Sequence, residues 1–562
     1  MSGICGVIDF GAGFTGGKLA ALMAQMQNTM IHRGFERDSL WMGEQTQVAL
    51  SDCHLLTSRT AIIANSAAQI QIVYDGDALA STRGAEVKAN QYPPVLAELA
   101  RVFADSIKSP IHALRAIETP FALALWNDRL KKLLLARDAF DSKPLYFSWG
   151  RGWFAFASEL RALKLIPGFN PALDQNAVHE YLANGFVAAP RCMYQGARKV
   201  TAGGFVELDC APLLASANLI SIHENAPAAS GVITMLAPLC GEPHSSNFHA
   251  PEDDPQLPYT TPVETQPTLA EQSELLRRAL LDSLQQSRFR SSSVHILRAH
   301  EPTDALLSAM CRLELQLETH TYSVTDPLHA PNTPFVNDLD QHIGAIHHQG
   351  ESLEDFSEIL NRVINALDEP IGLLDSLCWN ANAAFTRANT SHALCGVSVH
   401  SATRVAELTA TRTSFLNALL QRKNPIVAPD AQTWPCQMGL MNQLCAHHSL
   451  AVGAPFLNHH VAAGLRGASN EVLVHILRGY LPEKFIARLT QTHHSTITAR
   501  AELALAQLSE SILFTPQSMI TQFTNRIALR GLLASPSATP RDSAQRQWLL
   551  LILESWLRRH VG

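Results

Sequence analysis

A chain of 562 residues suffices for three or four ordinary domains or for two large ones, and an apolar share of 46% supplies a folded core. Charged residues are only 17% and the net charge is -7 with no basic block, which excludes the footprint of a nucleic-acid binder and the composition of a disordered chain. No apolar run approaches the roughly 18 residues of a membrane span, and the opening MSGICGVIDF lacks the pattern of a secretory signal; ten cysteines without a CxxC pair fit reduced thiols in a cytoplasmic protein. In chain order, short apolar runs bounded by turn residues predict strands at Ile4–Phe10, Ile70–Tyr74, Phe121–Trp126, Leu133–Ala136 and Trp153–Ala157. Helical spacing follows over Asn176–Ala183, then a turn at Thr201–Gly204 and a strand ending at Asp209.

Eight of the 30 prolines lie between Pro227 and Pro267, so 211–267 reads as a proline-rich linker or insertion. From Leu269 helical periodicity dominates, with Leu275, Leu276, Ala279, Leu280 and Leu284 on one face. Short strands at Val294–Leu297, Thr321–Val324 and Ala393–Val397 alternate with helical stretches, which predicts a parallel sheet with crossover helices. Gln547–His560 reads as an amphipathic helix whose terminal Arg558 and Arg559 suit a helix C-terminus.

Several strings then occur in a specific order. They are His32-Arg-Gly34, Phe121 to Asp128, Leu135-Ala-Arg-Asp138, Lys143-Pro-Leu-Tyr-Phe147, Phe156-Ala-Ser-Glu-Leu160 and Tyr181 to Phe186. Leu367-Asp-Glu-Pro370, Ala454 to His459 and Leu549 to Arg559 continue the series. The ordered set resembles the glutamine-hydrolysing asparagine synthetases over nearly the whole chain apart from the proline-rich stretch. The resemblance implies an α+β N-terminal domain at 1–210, an Ntn-hydrolase-like αββα β-sandwich of the class II glutamine amidotransferase type. It implies an α/β ATP-pyrophosphatase-like domain at 268–562, with a parallel sheet and many helices. The family reaction is amidation of aspartate, driven by ATP with Mg²⁺, using ammonia from glutamine.

In the family the glutaminase nucleophile is a cysteine at the processed N-terminus, whose own α-amine serves as base. The ungapped register puts Ser2 there; a shifted register uses Cys5 after removal of four residues. A serine with only an amine as base is a much weaker nucleophile than a thiol. The oxyanion-hole string Asn-Gly-Glu corresponds to Asp75-Gly76-Asp77, where an acceptor-only carboxylate replaces an amide donor. His54 stands where the family's arginine grips the glutamine carboxylate, and an imidazole lacks the bidentate fork. Catalytic candidates are therefore Ser2, Cys5, Asp75 and Gly76; substrate-binding candidates are His54 and Asp77.

The family's diphosphate loop, Ser-Gly-Gly-x-Asp-Ser, corresponds to Arg298–Asp304, which has no glycine, one proline and Glu301. The second nucleotide string corresponds to Leu394–His400, of which Gly396 matches. Thr321–Val324 resembles the adenine-facing strand. Nucleotide-binding candidates are Leu297, Val324, Cys395 and Gly396, with ATP and Mg²⁺ implied only by the resemblance. Adjacent histidine pairs such as His347-His348 and His447-His448 are poor chelates on a helix, so no metal site is expected.

Two function classes follow: a pseudoenzyme kept for its surface, as partner of an active relative, and a divergent amide-forming ligase. The partners implied are glutamine, aspartate and ATP if active, and a second copy or an active paralogue; neither nucleic acid nor membrane is expected.

Overall fold

The computed structural model describes residues 2–14, 17–34, 40–43, 48–54, 63–65, 69–76, 94–104, 111–211, 233–236, 268–287, 292–298, 302–325, 328, 333–351, 355–397, 434–466, 470–490, 497–534 and 539–561. The chain divides into two compact units, Met1–Leu173 with Ala189–Pro267, and Asp174–Ala188 with Thr268–Gly562.

The first unit holds two six-stranded antiparallel sheets. One contains β1 (Ser2–Asp9), β2 (Leu40–Met42), β3 (Val48–His54), β8 (Tyr146–Gly150), β9 (Trp153–Ala157) and β10 (Ala197–Lys199), in the order β10-β8-β9-β1-β3-β2. The other contains β4 (Ile63–Asn65), β5 (Ile70–Gly76), β6 (Phe121–Asn127), β7 (Lys132–Arg137), β11 (Phe205–Asp209) and β12 (Ile233–Leu236), in the order β12-β11-β7-β6-β5-β4. Ile4, Ile8, Leu50, Val73, Ala124, Trp126 and Phe156 form the core that both sheets share. The helix Gly17–Thr29 covers β1 and β3. Helices Pro94–Phe103 and Ile111–Arg115 cover the second sheet, with Leu96, Leu99 and Leu114 packed on Ile72, Leu123 and Leu125. The layers run helix, sheet, sheet, helix, as the resemblance implied. Every residue of β1 is buried because both its faces are covered, which is why it reads as an unbroken apolar run.

The proline-rich stretch lies outside the described residues except for β12, which pairs antiparallel with β11 and so belongs to a sheet rather than to a linker. The boundary read at 210 also differs from the structure. The helix Gln175–Asn184 lies in the second unit, where the Tyr181 hydroxyl donates to the Leu549 carbonyl at 2.8 Å and Gly372 N–H to the Gly185 carbonyl at 2.7 Å.

The second unit carries a five-stranded sheet in the order β15-β14-β13-β16-β17. These strands are β13 (Ser293–Leu297), β14 (Glu318–Val324), β15 (Ile346–Gly350), β16 (His392–Cys395) and β17 (Ala451–Gly453). All pairs are parallel. The strand order reverses between β13 and β16, so the carboxyl ends of those two strands flank the crevice where such sheets bind ligands. Leu276, Leu280 and Leu284 of the helix Leu269–Gln286 join the core with Ala279 packed against it, as their spacing predicted, whereas Leu275, read on the same face, is exposed; Thr268 opens that helix with a capping box. The C-terminal helix differs from expectation. It runs Pro540–His560, and Trp548 to Glu554 are buried without interruption. It is a core helix, apolar around its circumference, rather than a surface one. Trp548 donates to Ser376 Oγ at 2.9 Å and Trp556 to the Asp368 carbonyl at 3.1 Å. Among the described residues no helix is long and apolar enough to cross a membrane.

Trp548→Ala removes a fully buried indole and its hydrogen bond from this core. It is expected to destabilise the second unit by about 3–5 kcal/mol, measured as a fall in the urea midpoint.

Candidate functional site

In the first unit the sequence-predicted residues converge at one end of the sheets. Ser2 opens β1, is 1% exposed, and faces His54 across the antiparallel register. Asp75 and Gly76 close β5. Asp77 and the His54 side chain lie outside the described residues. Cys5 sits in the middle of β1, paired with Ser51 on one side and Ala157 on the other. Removing four residues would delete the pairs Ser2–His54, Gly3–Cys53 and Ile4–Asp52, so the Cys5 register dismantles its own strand. Burial, with Cys53 and Asp52 nearby, pushes the Cys5 thiol up, and burial holds Cys53 up at about 12 despite the Arg33 charge beside it. Both remain thiols, and the thiolate is the nucleophile.

The residues that organise this end were not singled out as site residues, although the family-like strings contain them. Arg33 is wholly buried. Its Nε donates to Glu159 Oε1 at 2.5 Å and its Nη1 lies 3.8 Å from Asp75 Oδ2. Lys143 Nζ lies 3.5 Å from the other Asp75 oxygen. His32 Nε2 lies 2.7 Å from Glu159 Oε1, and Arg161 Nε lies 3.1 Å from Glu159 Oε2. Burial alone would raise the Glu159 carboxyl; Arg33, His32 and Arg161 hold it well below the usual range. Asp75 thus stands between two cations where the family has an amide donor. Gly3 has no room for a side chain, since a Cβ would lie 3.0 Å from both Arg33 Cδ and Cys53 Sγ. Ser158 binds this string to β1, its Oγ accepting from Ile4 N–H at 2.9 Å and its own N–H donating back at 2.8 Å.

In the second unit Leu297, Cys395 and Gly396 meet at the β13–β16 crevice. Its interior is occupied by the chain itself. Asp304 Oδ1 accepts the Gly396 N–H at 3.0 Å, and a Cβ on Gly396 would lie 2.4 Å from that oxygen. The buried carboxylate therefore takes the Gly396 backbone donor and fills the space beside it. Cys395 Sγ contacts Met441 Sδ at 3.3 Å, and burial raises its thiol to about 12. Val324 sits apart at the end of β14, its N–H already accepted by Asn382 Oδ1 at 2.6 Å. Asn382 Nδ2 donates to the Arg298 carbonyl at 2.9 Å, so one amide ties the ends of β13 and β14. Residues 299–301 of the loop lie outside the described residues. The residues present do not fit the ATP cradle the resemblance implies.

His347 and His348 lie on β15 rather than on a helix, so they point to opposite faces. His348 stacks on Tyr322 at 4.6 Å, and its Nε2 meets His320 Nδ1 at 3.0 Å. His295 stacks on His320 at 5.1 Å. Among the described residues no group of three His, Cys, Asp or Glu converges as metal ligands would.

A family model described as a glutamine amidotransferase domain matches residues 106–214. Over 99 residues the chain is 33% identical to the "Putative asparagine synthetase (glutamine-hydrolyzing)" of Mycobacterium bovis and of Mycobacterium tuberculosis, covering 17% of this chain and 15% of those proteins. A second protein of that description in Methanocaldococcus jannaschii is 27% identical over 84 residues, 15% of this chain and 16% of its own length. The chain therefore spans less than a fifth of the length of these curated relatives. A glutamine phosphoribosylpyrophosphate amidotransferase from B. subtilis, complexed with ADP and GMP, aligns over 62% of this chain and 65% of its own at 10% identity. Its TM-score of 0.27 carries no argument about function. The resemblance to glutamine-hydrolysing asparagine synthetases stands on the sequence matches and the ordered strings. Ser2, Cys5, His54 and Asp75 to Asp77 all precede the residues that the domain model matches.

Three predictions follow from this geometry. Asp75→Asn leaves Arg33 and Lys143 without the carboxylate between them; it is expected to destabilise the first unit by about 3–5 kcal/mol in chemical denaturation. At pH 8 native Cys5 and Cys53 should resist iodoacetamide and react only after unfolding, as read by peptide mass. The third concerns pH. Burial holds His295, His348 and His448 below the ordinary 6.5, His448 at about 4. Each binds its proton more weakly folded than unfolded, so their contribution is full above about 6.5 and is lost as pH falls toward about 4. The urea midpoint of the second unit should fall across that window, and less steeply in His448→Gln.

Proposed function

We propose that this chain is a relative of the glutamine-hydrolysing asparagine synthetases that is silent in both family reactions. The observation that carries this reading is Asp75, buried between Arg33 and Lys143 where the oxyanion donor would stand. A carboxylate so clamped repels a developing oxyanion, where a donor would stabilise it by about 3 kcal/mol. The Asp304 contact with Gly396 supports the same reading for the nucleotide reaction, because the chain's own anion lies where the diphosphate would sit. ATP and Mg²⁺ are then not turned over in the family manner. The retained strings serve packing: Ser158 and Glu159 hold β1 and Arg33, while Asp138 accepts Phe140 N–H at 2.7 Å and Lys143 N–H at 3.3 Å. The role left to such a chain is that of a folded partner for an active relative or a second copy.

Two assays on the purified chain test the proposal. Neither ammonia release from glutamine nor pyrophosphate release from ATP with aspartate should exceed background. Steady turnover in the second assay would favour a divergent amide-forming ligase and overturn the silent reading. Intact mass should show a chain beginning at Ser2.

A further inference from the structure

One cluster in the second unit, partly on the strand that resembles the adenine-facing one, contains none of the candidate site residues named from the sequence. Ser323 Oγ lies 3.2 Å from His347 Nε2, and His347 Nδ1 lies 3.1 Å from Asp340 Oδ2. Nδ1 is also 2.9 Å from Thr321 Oγ1, which itself donates to Asp340, so the ring nitrogens face a serine hydroxyl on one side and a threonine–carboxylate pair on the other, the order that a serine nucleophile, its base and an orienting carboxylate require. Three separate elements supply them: β14, β15 and the helix Thr333–Ile343. Asp340 is itself fixed, accepting from Thr321 Oγ1 at 2.7 Å and pairing with the buried Arg298. Burial alone would raise its carboxyl, but Arg298, His347 and Thr321 hold it below the usual range, so it stays an acceptor for the imidazole N–H. Ser323 and Gln349 are each the penultimate residue of their strand, and Arg298 directly follows β13. Ser323, Gln349 and Arg298 therefore lie near the carboxyl ends of their strands, whereas His347 sits one register step back, opposite Thr321.

We propose that Ser323, His347 and Asp340 form an acyl-transfer triad that hydrolyses small carboxylic esters. Ser323 Oγ would attack the ester carbon while its proton passes to His347 Nε2. The tetrahedral adduct then expels the alcohol, which takes that proton, and leaves an ester on Ser323. Water attacks this ester, His347 accepts its proton and returns it to Ser323 Oγ, and the free acid departs. Asp340 is the positioning residue. Arg298 supplies positive charge beside the site, and among the described residues its buried Nε–H has no hydrogen-bond partner. Such a preoriented donor suits a developing oxyanion.

Gln349 sets the resting state. Its Oε1 lies 3.2 Å from Ser323 Oγ and 3.1 Å from His347 Nε2. The serine proton is given to an amide carbonyl, and that acceptor also favours a proton on Nε2, so Gln349 must move away before Nε2 can act as base. Ser323 is 1% exposed, whereas Gln349 is exposed, so its side chain is the cover a substrate displaces.

The test uses the full chain and a small alkyl fluorophosphonate, with adduct mass mapped by peptide. The expected result is modification of Ser323, with p-nitrophenyl acetate giving a burst of nitrophenol. Gln349→Ala should label roughly tenfold faster, and His347→Ala at least about 100-fold slower, with imidazole restoring part of the loss. Asp340→Asn should slow labelling and Asp340→Glu should recover part of it, with thermal melts confirming that each variant is folded. An unmodified Ser323 in both the natural chain and folded Gln349→Ala, or an adduct only on another serine, would overturn the proposal.

Discussion

A charge buried in a protein must be neutralised where it lies, because the desolvation it suffers is several kcal/mol even after relaxation. Arg33 imposes this on the first unit. It is wholly enclosed, and Glu159 and Asp75 are drawn to it from different segments. Lys143 then balances the second carboxylate, and His32 and Arg161 share the first. The positions of β1, β5 and the short helix Leu160–Leu163 are tied together by that one requirement.

The second unit answers the same constraint twice. Arg298 at the end of β13 takes Asp340 from the helix beyond β14, and this pairing orients His347 and Thr321. Glu554, fully buried in the C-terminal helix, accepts from Met519 N–H at 3.0 Å and Ile520 N–H at 2.8 Å and pairs with Arg558. In each case the buried charge is met by a group of the chain itself. Asp304 with Gly396 is the clearest instance, since the same contact explains why that position must be glycine. A site filled in this way is stable without a ligand, and for that reason poorly disposed to accept one.

The family resemblance and the internal chemistry point in different directions, and they do so at different residues. Strings such as Phe121 to Asp128 and Phe156 to Leu160 lie in strands and turns whose neighbours they still fit. The match to the glutamine amidotransferase domain model, over 106–214, includes them. The altered positions cluster where substrates would be held. Packing positions are constrained by many neighbours at once, whereas a ligand contact is constrained only while the ligand matters.

The sequence by itself determined the two-part architecture, most of the strands and the identity of the changed residues. Runs such as Ile4 to Phe10 and the alternation after Leu269 have the periods of their elements. It left other elements unread: β8 and β15 hold tryptophan, histidine and glutamine, which carry no clear alternation, and β12 sits among prolines. The C-terminal helix looked amphipathic because burial on all sides comes from neighbours that a single segment cannot show. Only the tertiary structure decided what the changed residues do. Asp75 reads as a lost donor along the chain and becomes one corner of a buried charge network once Arg33 and Lys143 arrive beside it. Ser323, His347 and Asp340 have no motif spacing at all, since strand pairing and a helix bring them together. The reason is the same for each: spacing along a chain reports local periodicity, while charge neutralisation and hydrogen-bond geometry depend on distances between segments that folding alone sets.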